Sequence, residues 1–169
     1  ATDASGNESV TNTFTVAVND LDEDAPVITS SIVSSIDEGD SALGSVSADE
    51  SVTWSINGSG VVVSSTGVVS LTEVADYETL TSYSFYITAT DASGNESVTE
   101  TFNVAVNNLN DNAPVFTSSS TFTAEENQVS IGTVIATDAD SDPITYSLSG
   151  ADANALSIGS SSGVLVFNT

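Results

Sequence analysis

Residues 1–31, ATDASGNESVTNTFTVAVNDLDEDAPVITSS, recur at 89–119 as ATDASGNESVTETFNVAVNNLNDNAPVFTSS, an offset of 88 with 24 of the 31 positions identical. A chain that repeats at such an interval is built from copies of one unit, and the unit must fold within that interval. Weaker echoes extend the repeat. DEGDSALGSV (37–46) lies over EENQVSIGTV (125–134), VTWSING (52–58) over ITYSLSG (144–150) after a shift of four, and TGVVSL (66–71) over SGVLVF (162–167). The chain therefore reads as the tail of one unit at 1–25, a whole unit at 26–113 and the first part of a third at 114–169. The cut points ignore the unit and the chain opens in mid-motif, so the expectation is a window on a longer array.

Within the unit the apolar period is two. Val98, Phe102, Val104 and Val106 alternate with polar residues, and Phe14, Val16 and Val18 repeat the pattern in the first copy. Tyr83, Phe85, Ile87 and Ala89 form another set, as do Val52, Trp54 and Ile56. β-Branched residues dominate and no useful 3.6-residue period appears. Turn signals such as Asn57-Gly58 and Ser93-Gly94-Asn95 separate the runs. Seven or so short strands in one such interval predict an antiparallel sandwich of immunoglobulin-like type. Trp54 is expected to pack into the core and Tyr77 under its own loop, rather than bind a ligand, and Tyr86 to face outward, opposite Phe85 and Ile87. Asn7, Asn57 and Asn95 each begin an Asn-x-Ser sequon and read as plain loop amides.

Charge narrows the function. The chain has 24 acidic residues and no lysine, arginine or histidine, so no side-chain salt bridge can form. Two carboxylates about 4 Å apart repel by roughly 1 kcal/mol in water and about 4 kcal/mol near a protein surface. Clustered acids here can be neutralised only by protons or metal cations. Nothing can neutralise phosphates, which excludes nucleic acid and anionic membrane surfaces as partners. There is no cysteine, hence no disulfide and no thiolate metal site. No apolar run reaches the roughly 18–20 residues that would predict membrane insertion. Catalysis is not expected: with no His, Cys, Lys or Arg, only paired carboxylates of the kind used in glycoside hydrolysis remain.

LNDNAPVF (109–116), AEEN (124–127), ATDADSDPITYSL (136–148), DYE (76–78) and ATDASGN (89–95), in this order and spacing, resemble the cadherin repeat. The short, Ser/Thr-rich, lysine-free version is similar to cadherin-like repeats of large bacterial surface proteins of adhesin type. The fold implied is all-β: tandem seven-stranded Greek-key, immunoglobulin-like sandwiches of the cadherin type, one complete and two partial.

The resemblance also implies calcium at the joints between units. Calcium takes six to eight oxygen ligands, and a joint is where two units and a linker can pool that many. At the joint centred on NNLNDN, the implied ligands are Glu38, Asp76 and Glu78 from the upstream unit, Asn108, Asn110, Asp111 and Asn112 from the linker, and Asp138 and Asp140 downstream. Asp142 is a further oxygen donor there. Residues two apart in an extended segment point the same way, so Asp-x-Asp and Asp-x-Glu can aim two carboxylates at one ion. The family's last ligand, the Asp of a downstream ATD, would fall beyond residue 169, so one of the three expected ions should be weakened or missing. The other joint is centred on DLDEDAP, with Asp20, Asp22, Glu23 and Asp24 in the linker and Asp91, Asp49 and Glu50 in the middle unit. Adjacent Asp49 and Glu50 would face opposite ways, and fewer or weaker ions are expected.

The function expected is that of a calcium-rigidified structural segment of a long extracellular adhesin or surface filament, at the cell surface, mediating adhesion or assembly. Its first partners are neighbouring repeats of the same array. The alternative is a calcium-dependent carbohydrate-binding or self-associating module with a glycan or cell-surface ligand. Head-to-tail self-association is a further expectation, because residues 1–19 hold a strand pattern with no domain to join.

Overall fold

The computed structural model describes residues 1–19 and 21–168. The middle unit is a two-sheet sandwich. Its strands are β1 (Ser35–Asp37), β2 (Ala42–Ser45), β3 (Thr53–Asn57), β4 (Val61–Val63), β5 (Val68–Leu71), β6 (Ser82–Thr90) and β7 (Glu100–Asn107). One sheet has the order β1-β7-β6-β3 and the other β2-β5-β4. All pairings are antiparallel except β1 with β7, which run parallel.

The entry to the unit ties the two sheets together. Residues 27–33 run along the outer edge of β2: Thr29 N–H donates to the Ser47 carbonyl (2.8 Å), Asp49 N–H to Val27 (3.2 Å) and Val33 N–H to Leu43 (3.1 Å). The chain then crosses and lays β1 against β7. One extended segment thus covers an edge of each sheet, which removes two of the four exposed ladders.

Alternation becomes burial directly. In β6, Phe85, Ile87 and Ala89 are fully buried while Tyr86 between them is 47% exposed. Phe85 and Ile87 meet Leu43, Val69, Val104 and Val106 in one core, against which Trp54, Tyr77 and Phe102 pack. The Phe85 and Phe102 rings stack at 5.6 Å between centroids. Trp54 and Tyr77 are therefore packing residues, as their positions predict.

Gly67 shows why one glycine is required. Its φ is +82°, its carbonyl accepts the Val46 N–H at 2.8 Å, and a methyl on its Cα would collide with the Val46 carbonyl. Gly163 of the third unit repeats this arrangement against Val134, with φ +67°. Gly67→Ala is expected to cost at least about 1–2 kcal/mol from the left-handed backbone alone. Chemical unfolding would measure it. An unchanged midpoint would mean that the β2–β5 edge tolerates a shift.

The third unit has β8 (Val115–Phe116), β9 (Ser130–Thr133), β10 (Ala136–Thr137), a single 3₁₀ turn at Ala153–Ala155, β11 (Leu156–Ile158) and β12 (Val164–Phe167). The β11-β12-β9 sheet reproduces β4-β5-β2. Residues 144–150, which match β3 in sequence, form no strand. Nor do residues 11–19, where Phe14, Val16 and Val18 are 84–89% exposed. In both places the alternating pattern is present, and no strand pairs with it among the described residues.

Candidate metal centre

Four separate segments meet below the middle unit. Glu38 follows β1. Asp76 and Glu78 lie in the loop between β5 and β6. Asn108 to Asn112 form the linker after β7, and Asp138 to Asp142 the loop after β10. Their convergence brings one carboxylate oxygen each of Glu38, Glu78, Asp111 and Asp140 within 4.8 Å of one another. Asp138, Asp140 and Asp142 form a second group within the same limit, so Asp140 belongs to both.

Backbone donors hold these acids in place. Glu38 is only 6% exposed, and its two oxygens accept the Tyr77 N–H (3.0 Å) and the Leu109 N–H. One side chain thereby pins the 76–78 loop to the linker. Asp140, 7% exposed, accepts the N–H groups of Asn112 (2.8 Å) and Asp111 (3.2 Å) on one oxygen and the Asn112 amide on the other (3.2 Å). The Asn108 amide donates to the Asp140 carbonyl at 3.1 Å. Linker and downstream unit are thus joined by four donor–acceptor contacts, all on Asp140, while Glu38 ties the linker to the middle unit.

Not every expected ligand points into the cluster. Asp76 lines the same cleft, but its carboxylate accepts the Thr79 N–H (3.1 Å) and hydroxyl (2.8 Å). The Asn112 amide donates to Asp111 at 2.8 Å as well as to Asp140. Asn110 is exposed and makes no side-chain hydrogen bond among the described residues. Ser141, at φ +66°, sits where the 138–142 loop turns back, and Asp142 N–H donates to Asp138 at 3.3 Å.

The proton affinities follow from this packing. Glu78 is pushed up to about 6, first by burial, then by its hydrogen bond with Asp140 and the charges of Glu38 and Asp140. Asp111 is raised by burial and by Glu38, Asp140 and Asp76. Asp140 is held low by the backbone N–H of Asn112, and Asp76 by the Thr79 hydroxyl. Raised and lowered carboxylates side by side, with no basic residue in the chain, describe a site short of positive charge. The donors are all hard oxygens on separate loops, which suits calcium better than a soft metal or one demanding a rigid octahedron.

The upstream joint is poorer. Asp22, Glu50 and Asp91 come within 4.8 Å of one another. Asp49 turns away and accepts the Val27 N–H at 2.8 Å, so the adjacent acids do part. Glu50 is raised by burial and then by Asp22 and Asp91. Glu23 and Asp24 are exposed and join no such group among the described residues, and Asp20 lies outside them. The physical reason is loop length. The four-residue insertion that carries Asp140 in the third unit is missing from ADES in the middle one.

One feature of this joint escapes a reading of the acids alone. Asp91 accepts the Ser93 and Asn95 N–H groups (both 2.8 Å) on one oxygen and the Asn95 amide (2.8 Å) on the other. That amide also donates to the Asp22 carbonyl at 3.0 Å, so Asn95 ties linker to unit. Asp3 and Asn7 build the same loop, at 2.9 Å for each corresponding bond. The twice-occurring Asp-Ala-Ser-Gly-Asn spelling was the available signal, since an Asp carboxylate accepts the backbone N–H two residues on and so caps the turn locally.

No protein-family model matches the chain, and no curated protein matches it by sequence. Solved structures do. Mouse cadherin-23 EC22-24 is 25% identical with a TM-score of 0.67, over 86% of this chain and 54% of that one. Human protocadherin-24 EC1-2 is 26% identical with a TM-score of 0.70, over 86% and 78%. Drosophila N-cadherin EC1-4 is 25% identical with a TM-score of 0.68, over 86% and 41%. The chain spans about half the length of the mouse structure. Its fold is the cadherin-type β-sandwich.

Proposed function

We propose that this chain is a calcium-rigidified segment of a long extracellular adhesin or surface filament, which mediates adhesion or assembly as part of a large bacterial-type surface protein. The observation that carries the reading is the meeting of Glu38, Glu78, Asp111 and Asp140, drawn from two units and their linker, in a chain with no cation of its own. Those four would hold the ion, with Asp138, Asp142, Asp76 and the Asn108–Asn112 linker supplying further oxygens. Calcium bound there supplies the positive charge that lets these acids stay ionised together.

Rigidity follows from shared ligands. Without an ion the carboxylates repel, and only the backbone bonds to Glu38 and Asp140 resist bending at the linker. With an ion, both units and the linker are bound to one centre. Extracellular modules bind calcium with dissociation constants of about 10⁻⁴–10⁻³ M, so such a joint fills outside cells and empties within. The upstream joint, with three converging acids and a direct Asn95 tether, should bind later in a titration.

Small-angle scattering of the chain in millimolar calcium and in chelator tests this. The expected result is a longer maximum dimension and a narrower pair-distance distribution in calcium. Identical profiles in the two conditions would remove the rod from the reading.

A further inference from the structure

Asn57 ends β3, where the chain turns towards β4, and it is the one asparagine in the sequence that is followed by glycine. Several other asparagine amides are tied down. Asn7 donates to Asp3, Asn95 to Asp91 and the Asp22 carbonyl, Asn107 to Asp37, and Asn112 to Asp111 and Asp140. Asn57 is exposed, and its side chain makes no hydrogen bond among the described residues. The Gly58 N–H donates none among them either.

A side-chain amide and the backbone nitrogen that follows it are held close enough to react, because attack closes a five-membered ring. The Cβ of the following residue ordinarily obstructs that approach. Glycine has none and turns more freely. At Asn57 and Gly58 neither group has a hydrogen bond to give up first.

We propose that Asn57 is a site of self-modification, at which the Gly58 nitrogen attacks the Asn57 side-chain carbonyl and the amide becomes a carboxylate through a cyclic imide. Hydroxide takes the proton from the Gly58 nitrogen, which bonds to Asn57 Cγ. The Cγ–Nδ2 bond breaks, and ammonia leaves with a proton from water, which restores the hydroxide. Water then opens the imide. Opening at the side-chain carbonyl gives aspartate. Opening at the main-chain carbonyl gives isoaspartate, with the backbone routed through the former side chain and one methylene longer. Either product carries one more negative charge, and neither needs an enzyme or an oxidant. Position sets the consequence. Asn57 pairs with Tyr86, the middle residue of β6, and both joints lie beyond the ends of that strand, so the inference is independent of the calcium reading. The turn itself is closely fitted. A methyl on Gly58 would collide with the Phe85 side chain, the Gly60 carbonyl accepts the Thr72 N–H at 2.9 Å, and Val61 at the start of β4 is buried. Aspartate keeps the backbone length and this fit, whereas isoaspartate shifts β3 against the turn.

The test is to hold the whole chain at pH 8.5 and 37 °C in millimolar calcium and to sample it over weeks by chymotrypsin digestion and mass spectrometry. Cleavage after Trp54 and Tyr77 releases a peptide whose one asparagine is Asn57. The mass gain of amide-to-acid exchange should appear in that peptide about tenfold faster, or more, than at any other asparagine. Its rate should rise with pH, and part of the product should be a substrate for an isoaspartyl methyltransferase. Asn57→Gln must close a six-membered ring and should lose the early gain. The aged chain should unfold at lower denaturant than fresh Asn57→Asp, while Asn57→Gln aged alongside keeps the midpoint it had when fresh. Faster conversion at another asparagine overturns the proposal, as does conversion at Asn57 that proceeds only in denaturant. Equal midpoints for the aged chain and Asn57→Asp, with isoaspartate present, overturn the account of the turn. Fresh variants that unfold with the fresh parent establish that each one folds.

Discussion

Glu38→Ala should lower calcium affinity at the Asn108–Asn112 joint by about a hundredfold or more, and destabilise the metal-free chain as well. The two effects have separate origins in one side chain. In the metal-free state, both Glu38 oxygens accept backbone N–H groups, from Tyr77 and from Leu109, in a place that is 6% exposed. Removing the acceptor leaves two donors unsatisfied, at a cost of about 2–4 kcal/mol. In the metal-bound state, the site loses one of its four converging carboxylates. Glu38→Gln separates the contributions. Its carbonyl oxygen still accepts one N–H, while its lost charge relieves repulsion with Glu78 and Asp111. Stability in chelator should therefore stay near that of the parent chain, while calcium affinity falls almost as far as in the alanine variant. Calorimetric titration measures the first quantity and chemical unfolding the second. Full calcium affinity in Glu38→Gln would mean that the ion is held without this residue, and the site as drawn would be wrong.

How much of this was legible beforehand depends on how far each feature reaches along the chain. Local determinants were written plainly. Asp91 and Asp3 build the same capped loop in different surroundings, because every partner lies within four residues. The alternation of Phe85, Ile87 and Ala89 foretells burial, and it is realised because β3 and β7 pair with β6 and the β2-β5-β4 sheet covers its inner face. Phe14, Val16 and Val18 carry the same alternation as Phe102, Val104 and Val106, yet form no strand. A strand is a pairing, and half a pair has the pattern without the structure. Asp76 marks another limit. Its place in DYE identifies the loop, but a threonine three residues on takes up its carboxylate, and no spacing rule weighs that competitor against an ion. Sequence likewise places Asp140 in an acidic loop without showing that two linker N–H groups converge on it from 28 and 29 residues away.

Acidification from pH 7.5 to 5 should weaken calcium binding at the Asn108–Asn112 joint by about tenfold, because an ion must displace the proton that Glu78 takes up near pH 6. Asp111, also raised, adds to the loss. In the absence of calcium the same group acts in the opposite sense on stability. Its folded proton affinity exceeds the ordinary value of 4.5, so the folded chain binds more protons than the unfolded one between 4.5 and about 6, and stability from this source rises as pH falls through that window. Asp140, Asp76 and Asp91 have lowered values; their contribution is complete above 3.8 and is lost as pH falls below it. For Asp91 burial works against the lowering, and the bonds from Asn95, Gly94 and Ser93 outweigh it. The metal-free chain should accordingly grow more stable on mild acidification and less stable on strong acidification, while the calcium-loaded chain loses stability from about pH 6 downward as the ion leaves. Unfolding midpoints across pH, with and without calcium, would display two curves that converge on the acid side. Glu78→Gln should flatten the rise in the metal-free curve between pH 6 and 4.5. If that variant keeps the rise, the proton resides elsewhere and the competition between proton and ion is not at Glu78.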